Sequence, residues 1–258
     1  MGIAVAVASP RAPSSAAIDR LSCANSLERP TRINIEQAPT DQLVKAGETA
    51  ELTCMAYAAP QAIIYWLHDG KPVTEVGNKR LNKFERFVMR GEPQIGSSVT
   101  VSTLPLGCID VSKTGVYTCV VDNGCHTATF DAVVAVAGES ETACNHDKND
   151  QQAPRITTWT DTRIERNSAY AQLYCRAQGN PQPSITWAVV NDEDENNVIF
   201  KELTDNDAVE VLPNGDLLVG PKFMGDGGGM AFVCRAENEH GQDEREIVLV
   251  EVLMNKKR

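Results

Sequence analysis

The sequence lacks the features that would indicate a membrane-spanning chain or an enzyme. None of its apolar runs is longer than six residues, whereas a transmembrane helix needs about 20. No G-x-S-x-G, H-E-x-x-H or P-loop motif occurs, and the four histidines are scattered along the chain. No stripe of apolar residues at helical spacing has a useful length. We therefore expect no membrane span, no enzymatic activity and little helix.

Positive charge and metal-binding patterns are also scarce. The chain carries 24 Lys and Arg against 35 Asp and Glu, and its net charge of −11 argues against nucleic acid as a partner. No C-x-x-C pair is present, and the acidic run 192–195 lacks the glycine and the bidentate glutamate of an EF-hand loop. No metal ion and no other cofactor is predicted.

The cysteines indicate the compartment. There are eight, spread along the chain, and an even, scattered set favours disulfides over a metal site. Because disulfides persist in oxidising compartments, we expect a secreted, extracellular protein. Residues 1–29 fit a secretory signal poorly, since the apolar run Ile3–Ala8 is short and follows no basic residue. Either the signal lies outside this sequence or a weak one is used, and we interpret residues 1–29 as a processed or disordered leader.

One pattern occurs twice along the chain. In each copy a tryptophan follows the first cysteine by twelve residues, and an aromatic residue lies two positions before the second cysteine. The residues are Cys54, Trp66, Tyr117 and Cys119 in the first copy, and Cys175, Trp187, Phe232 and Cys234 in the second. This spacing is typical of an immunoglobulin sandwich, whose tryptophan packs on the disulfide between the sheets.

The fold class follows from this repeat and from the alternation of apolar residues around each cysteine. We predict an all-β chain of two tandem immunoglobulin-like (I-set) β-sandwiches joined by a polar linker. The predicted order is a leader at 1–29, domain one at 30–138, a linker at 139–153, domain two at 154–253 and a tail at 254–258. The polar linker is expected to let the domains move relative to each other unless they pack directly.

Four cysteines remain after the predicted framework pairs Cys54–Cys119 and Cys175–Cys234. Sandwich topology places Cys23 and Cys125 at the end of domain one that carries the B–C and F–G loops, and Cys108 and Cys144 at the opposite end. Bridged Cα atoms lie within about 7 Å, so we favour the pairs Cys23–Cys125 and Cys108–Cys144. Free thiols or intermolecular bonds are the alternative.

Two candidate partner-binding surfaces are visible in domain one. The first is an apolar face on the predicted strands C and F. Ile63, Tyr65 and Leu67 point outwards on strand C, and Val120 points outwards next to them on strand F. The alternative is that the leader or domain two covers this face. The second surface is the basic segment Lys79–Arg90, which suits an acidic partner or heparan sulfate. Its alternative role is to keep a strand edge from pairing.

A family resemblance is carried by three segments, Gly115–Gly124, Trp159–Arg166 and Pro213–Leu217. Their combination resembles the nematode zwei-Ig secreted proteins and, more loosely, the related insect two-Ig protein that binds insulin-like peptides. The resemblance implies extracellular recognition at cell or neuronal surfaces, in the maintenance of axon or neuron position. It also implies an alternative, the sequestration of insulin-like peptides. The implied partner is accordingly a cell-surface receptor or adhesion molecule, or an insulin-like peptide.

Overall fold

The computed structural model describes residues 31–73, 96–137, 144, 151–166, 169–191, 199–204, 208–224 and 228–252. The predicted leader, most of the linker, the tail and the basic segment Lys79–Arg90 lie outside these residues. Strands dominate the described residues, and this confirms the all-β prediction. Within the same residues, no helix is both long and apolar enough to cross a membrane.

Domain one is a two-layered sandwich of eight strands. Its first layer orders β2-β8-β7-β4-β5, and its second orders β1-β3-β6. The bounds are β1 (Arg32–Gln37), β2 (Gln42–Lys45), β3 (Thr49–Ala59), β4 (Ile63–His68), β5 (Lys71–Pro72), β6 (Ser97–Cys108), β7 (Gly115–Asp122) and β8 (Thr127–Ala137).

The core of domain one follows from period-two alternation. On β3 every second residue is buried (Leu52, Cys54, Ala56 and Ala58), because successive side chains of a strand point to opposite faces. Trp66 and Tyr117 are buried in the same core. The Tyr117 hydroxyl donates a hydrogen bond to the backbone carbonyl of Lys113 over 3.0 Å. This bond ties strand β7 to the turn that precedes it.

Domain two has the same two-layered plan. A small sheet orders β10-β15-β14, and it packs against strands β9, β17, β16, β12 and β13. The bounds are β9 (Gln152–Arg166), β10 (Ala171–Leu173), β11 (Cys175–Asn180), β12 (Ser184–Asn191), β13 (Ile199–Glu202), β14 (Val209–Val211), β15 (Leu217–Val219), a helical turn at Pro221–Met224, β16 (Gly228–Asn238) and β17 (Gly241–Val252).

The core of domain two is built around Trp187 and Phe232, which are both buried. The indole Nε1 of Trp187 donates to the Gly215 carbonyl over 2.9 Å. Phe232 stands two residues before Cys234, where domain one has Tyr117. It lacks a hydroxyl, so the aromatic residue at this position contributes apolar packing alone.

Three disulfides join described cysteines. Cys54–Cys119 joins β3 to β7 across the two layers of domain one, and Cys175–Cys234 joins β11 to β16 in domain two, with Cα separations of 6.5 and 6.4 Å. Cys108–Cys144 joins the end of β6 to the chain before β9, with a Cα separation of 5.9 Å. Cys125 is also disulfide-bonded. Its predicted partner, Cys23, lies outside the described residues, so that pairing stays a prediction.

The two domains share one nine-stranded sheet. Its strands follow the order β1-β3-β6-β9-β17-β16-β12-β13, and β11 pairs with the first part of β9. The last part of β9 pairs antiparallel with β6 of domain one and parallel with β17 of domain two. In an immunoglobulin sandwich strand D normally lies beside strand E. Here β9 of the second domain lies beside β6, the E strand of the first, so the domains pack directly.

The framework disulfide of domain two provides a stability prediction. Cys175 and Cys234 are 59 residues apart. Bridging a loop of this length stabilises the folded state by roughly 4 kcal/mol in the chain-entropy model. Replacing both cysteines by alanine is therefore expected to lower the free energy of unfolding by about that amount, with an added loss from the cavity left in the core.

Urea denaturation followed by tryptophan fluorescence measures this change. The matched control is Cys108→Ala with Cys144→Ala, which removes the bridge outside the two core clusters and is expected to have a smaller effect. An unchanged denaturation midpoint for the Cys175→Ala, Cys234→Ala variant would contradict the prediction.

Candidate functional site

The apolar face predicted on strand β4 is largely covered. Tyr65 is 38% exposed and Leu67 is half-buried, but Ile63 is only 7% exposed and Val120 only 3%. The expected exposure is therefore wrong for Ile63 and Val120. Val120 lies directly across from the larger Tyr65 in the strand register, and Ile63 begins β4 next to the buried Ala62. Strand parity determines which way a side chain points, but it does not determine what covers it.

Tyr65 remains a candidate contact on this sheet. Burial and the nearby Asp122 carboxylate raise the pKa of the Tyr65 phenol above its ordinary value. The hydroxyl is therefore neutral at physiological pH and can donate a hydrogen bond to a partner. The basic segment Lys79–Arg90, the second candidate, lies outside the described residues.

A further candidate surface is the outward side of the nine-stranded sheet, at the place where the two domains meet. One row of paired residues crosses six strands, from domain one to domain two. The row consists of Asn34, Tyr57, Val99, Thr162, Val248 and Ala231. We call the surface around this row on β6, β9 and β17 the interdomain face.

Alternation along the two strands at the centre determines what the interdomain face presents. On β9, Arg163 and Glu165 point inwards and are buried, whereas Ile164 points outwards and is 37% exposed. On β17, Leu249 points inwards, whereas Val252 points outwards and is 45% exposed. The half-buried residues Val99, Val248 and Val250 surround Ile164, so the centre of the face is apolar.

Charged and aromatic groups lie around this apolar centre. On the domain-one side, the Arg32 guanidinium lies 4.8 Å from the centre of the Tyr57 ring and donates a hydrogen bond to its hydroxyl. Hydrogen bonds with Arg32 and then with Ser97 lower the pKa of the Tyr57 phenol. On the domain-two side, Glu246 is exposed on the same face of β17, two residues from Val248. An apolar centre with a polar rim is typical of protein interfaces.

Beneath the face, a buried ion pair supports the junction between the domains. Arg163 and Glu165 are fully buried and bonded to each other. The Glu165 carboxylate also accepts hydrogen bonds from the backbone N–H groups of Gly96 and Arg166, both at 3.0 Å. A Cβ atom at Gly96 would overlap the carbonyl oxygen of Ile164, so glycine permits this close approach of β6 and β9.

Polar side chains add further contacts across the junction. The Gln61 amide of domain one donates to the Thr160 hydroxyl of β9 over 3.1 Å. The hydroxyls of Ser102 and Thr158 are 3.3 Å apart across β6 and β9. The spacing and alternation of the sequence did not predict this junction. The sequence carried one signal of it. Strand β6, which follows Gly96, has serine and threonine at the inward positions 98, 100 and 102, whereas the later inward positions 104 and 106 hold leucine.

Comparison with known proteins agrees with this architecture. The family model described as "Immunoglobulin domain" matches residues 32–123. The Caenorhabditis elegans protein zig-4, a zwei Ig domain protein, is 33% identical over 225 residues, covering 87% of this chain and 82% of the relative. Zig-3 of the same organism is 30% identical over 217 residues, covering 84% and 80%. The chain belongs to the zwei-Ig family.

A solved structure is similar to both domains together. The crystal structure of neural ectodermal development factor IMP-L2 superposes with a TM-score of 0.66 at 24% identity, covering 89% of this chain and 98% of that chain. This likeness shows a common fold. The zwei-Ig family consists of immunoglobulin-type binding proteins, and this is the level of function that membership establishes. Among the residues whose placement is described, no cluster of three or more candidate metal ligands occurs.

The buried ion pair provides a prediction for the junction. Arg163→Met removes the cation and leaves the Glu165 carboxylate buried next to Glu251, its neighbour in the strand register, whose carboxylate makes no hydrogen bond to the protein. Breaking one partner of a buried pair costs about 3–5 kcal/mol, whereas replacing both by apolar residues is often close to neutral. We expect Arg163→Met to be strongly destabilising and Arg163→Met with Glu165→Leu to recover part of the loss, because the backbone N–H groups of Gly96 and Arg166 then lose their carboxylate acceptor.

Chemical denaturation of the two variants tests this prediction. The double variant also separates loss of the charge from loss of packing volume, because both substitutions keep large side chains in the junction. Equal destabilisation by the single and the double variant would show that an unpaired buried charge is not the cause.

Proposed function

We propose that the protein acts outside the cell as a recognition protein that binds a folded protein partner on the interdomain face. The observation that carries this proposal is the row of paired residues that runs without a break from β1 of domain one to β16 of domain two. Both domains contribute to one surface, and backbone hydrogen bonds between β6 and β9 fix their relative position. A surface that is already ordered loses little conformational freedom when a partner binds.

The composition of the face suits a protein partner. Ile164 is exposed at its centre and Val252 at the end of β17, and exposed apolar side chains with a polar rim mark interaction sites. Tyr57 lies in the same row, and tyrosine is among the residues enriched at binding hot spots. The exposed carboxylate of Glu246 gives the domain-two side a negative charge, which favours a partner with a basic group at that edge.

We propose that the partner is a receptor or adhesion molecule on the neuronal surface, and that binding helps to maintain the position of axons or neurons. Membership of the zwei-Ig family supports this proposal. The fold shared with a neural ectodermal development factor is consistent with it. The basic segment Lys79–Arg90 leads along the chain into β6, so heparan sulfate at the cell surface is proposed as an additional ligand.

A second candidate function is the sequestration of insulin-like peptides. The length of the row of paired residues favours this candidate, because its six adjacent strands at about 4.8 Å spacing span roughly 24 Å. That width matches a small folded peptide, which would be covered by the face and held away from other proteins. In this case the protein would lower the concentration of free peptide.

A binding screen with matched variants tests the proposal. The purified, oxidised protein is immobilised and exposed to a panel of neuronal receptor ectodomains and to insulin-like peptides. Ile164→Lys places a charge at the apolar centre and is expected to weaken binding of the partner by about thirtyfold, the loss typical of a hot-spot residue. Tyr65→Glu, on the opposite sheet of domain one, is the matched control and is expected to bind normally.

The outcomes separate the candidates. Capture of insulin-like peptides without receptor binding would support sequestration and reverse the order of the two functions. Loss of binding with Tyr65→Glu but not with Ile164→Lys would place the contact on strand β4 and overturn the role of the interdomain face.

A further inference from the structure

The strongest surface feature outside the interdomain face lies at the edge of the other sheet of domain one. Strand β2 is the terminal strand of that sheet and pairs on one side with β8. Leu43, in the middle of β2, is 74% exposed, more than any other large apolar residue in the described part of the chain. An edge strand with an exposed apolar side chain is a template for pairing with another strand.

The residues around Leu43 form a self-complementary pattern. Leu43 and Lys45 share one face of the strand, Asp41 immediately before it has the same parity, and all three are exposed, while Val44 points into the core. Two residues before Leu43 the charge is negative, and two residues after it the charge is positive. The Asp41 carboxylate is oriented by a 2.7 Å hydrogen bond from the backbone N–H of Val133, and this bond uses only Oδ1.

We propose that two copies of the chain associate by antiparallel pairing of their β2 strands around a two-fold axis at Leu43. In this register Leu43 meets the partner's Leu43, Asp41 meets the partner's Lys45, and Lys45 meets the partner's Asp41. Residues directly opposite in an antiparallel pair have Cβ atoms about 5 Å apart, so the apolar pair and both ion pairs form together. Each contact occurs twice or lies on the axis, as a two-fold interface requires.

The charges favour a second copy of this chain over an unrelated strand. A lysine on a short edge strand normally discourages pairing, because it brings an unmatched charge to the partner strand. Here the same chain supplies the matching carboxylate at the symmetric position. Lys45 makes no ion pair with any residue that the structure describes. A slip of one residue would separate the charges and turn Leu43 away from its counterpart.

The pairing leaves the interdomain face open. Strand β2 belongs to the five-stranded sheet, whereas the interdomain face lies on the nine-stranded sheet. The pair therefore carries two interdomain faces, and it would bind a partner displayed in many copies with higher avidity than one copy would. The association itself does not depend on which partner binds that face.

Sedimentation velocity over a range of concentrations tests the association. The wild-type protein is expected to change from monomer to dimer as its concentration rises, and Leu43→Lys is expected to stay monomeric. Asp41→Lys alone and Lys45→Asp alone each place like charges opposite each other twice, and each is expected to weaken the dimer by about tenfold. The double variant Asp41→Lys with Lys45→Asp restores opposite charges and is expected to dimerise as the wild type does.

Two controls keep the test specific. Val116 is exposed on the same sheet but lies two strands from β2, so Val116→Lys is expected to dimerise normally. Thermal denaturation of each variant verifies that it is folded. A wild-type monomer at every concentration, a dimer that survives Leu43→Lys, a disruptive Val116→Lys or a double variant that fails to recover would overturn the proposal. Ile164→Lys should dimerise normally, so failure of the proposed function and failure of this interface are distinguishable.

Discussion

The backbone pairing of β6 with β9 is the interaction on which the rest of the structure depends. Without it, the chain would be two immunoglobulin sandwiches on a polar tether, and their relative orientation would vary. With it, Val99 and Thr162 lie opposite each other in one register, and the sheets of both domains become a single surface. The free edge of β6 is covered at the same time, which removes a site for aggregation.

The register of this pairing is determined by what it buries. A slip of one residue would turn Arg163 and Glu165 towards solvent and Ile164 into the interior, because side chains alternate between the two faces of a strand. The ion pair and the hydrogen bonds to Glu165 would then be lost together. A buried ion pair contributes little net stability, since its desolvation penalty offsets most of the attraction. Its effect here is to penalise the alternative registers, so the interdomain face keeps one composition.

The parts of this structure that the sequence predicted are those controlled by local spacing. The spacing of twelve residues from Cys54 to Trp66 is repeated from Cys175 to Trp187. It predicts the sandwich because this length of chain carries the backbone from one core strand to the next, with both side chains pointing into the same core. The expected packing of Trp66 inside the sandwich is likewise confirmed. The partner of β9 could not be predicted, because the alternation of 160–166 fits a strand in any sheet. The coverage of Val120 is likewise non-local, since it depends on the neighbouring strand.

The third disulfide explains how so non-local a pairing is favoured. Strands β6 and β9 are separated by the 43 residues 109–151, and closing such a loop is entropically unfavourable. The Cys108–Cys144 bridge anchors the chain at the end of β6, only eight residues before β9 begins. Shortening the loop from 43 to seven residues reduces the closure penalty by about 1.6 kcal/mol. Because β6 and β9 are antiparallel, the anchored end is also the end at which β9 must start. The bridge therefore does more than stabilise domain one. It holds the start of β9 close to β6, the strand with which β9 pairs in the shared sheet.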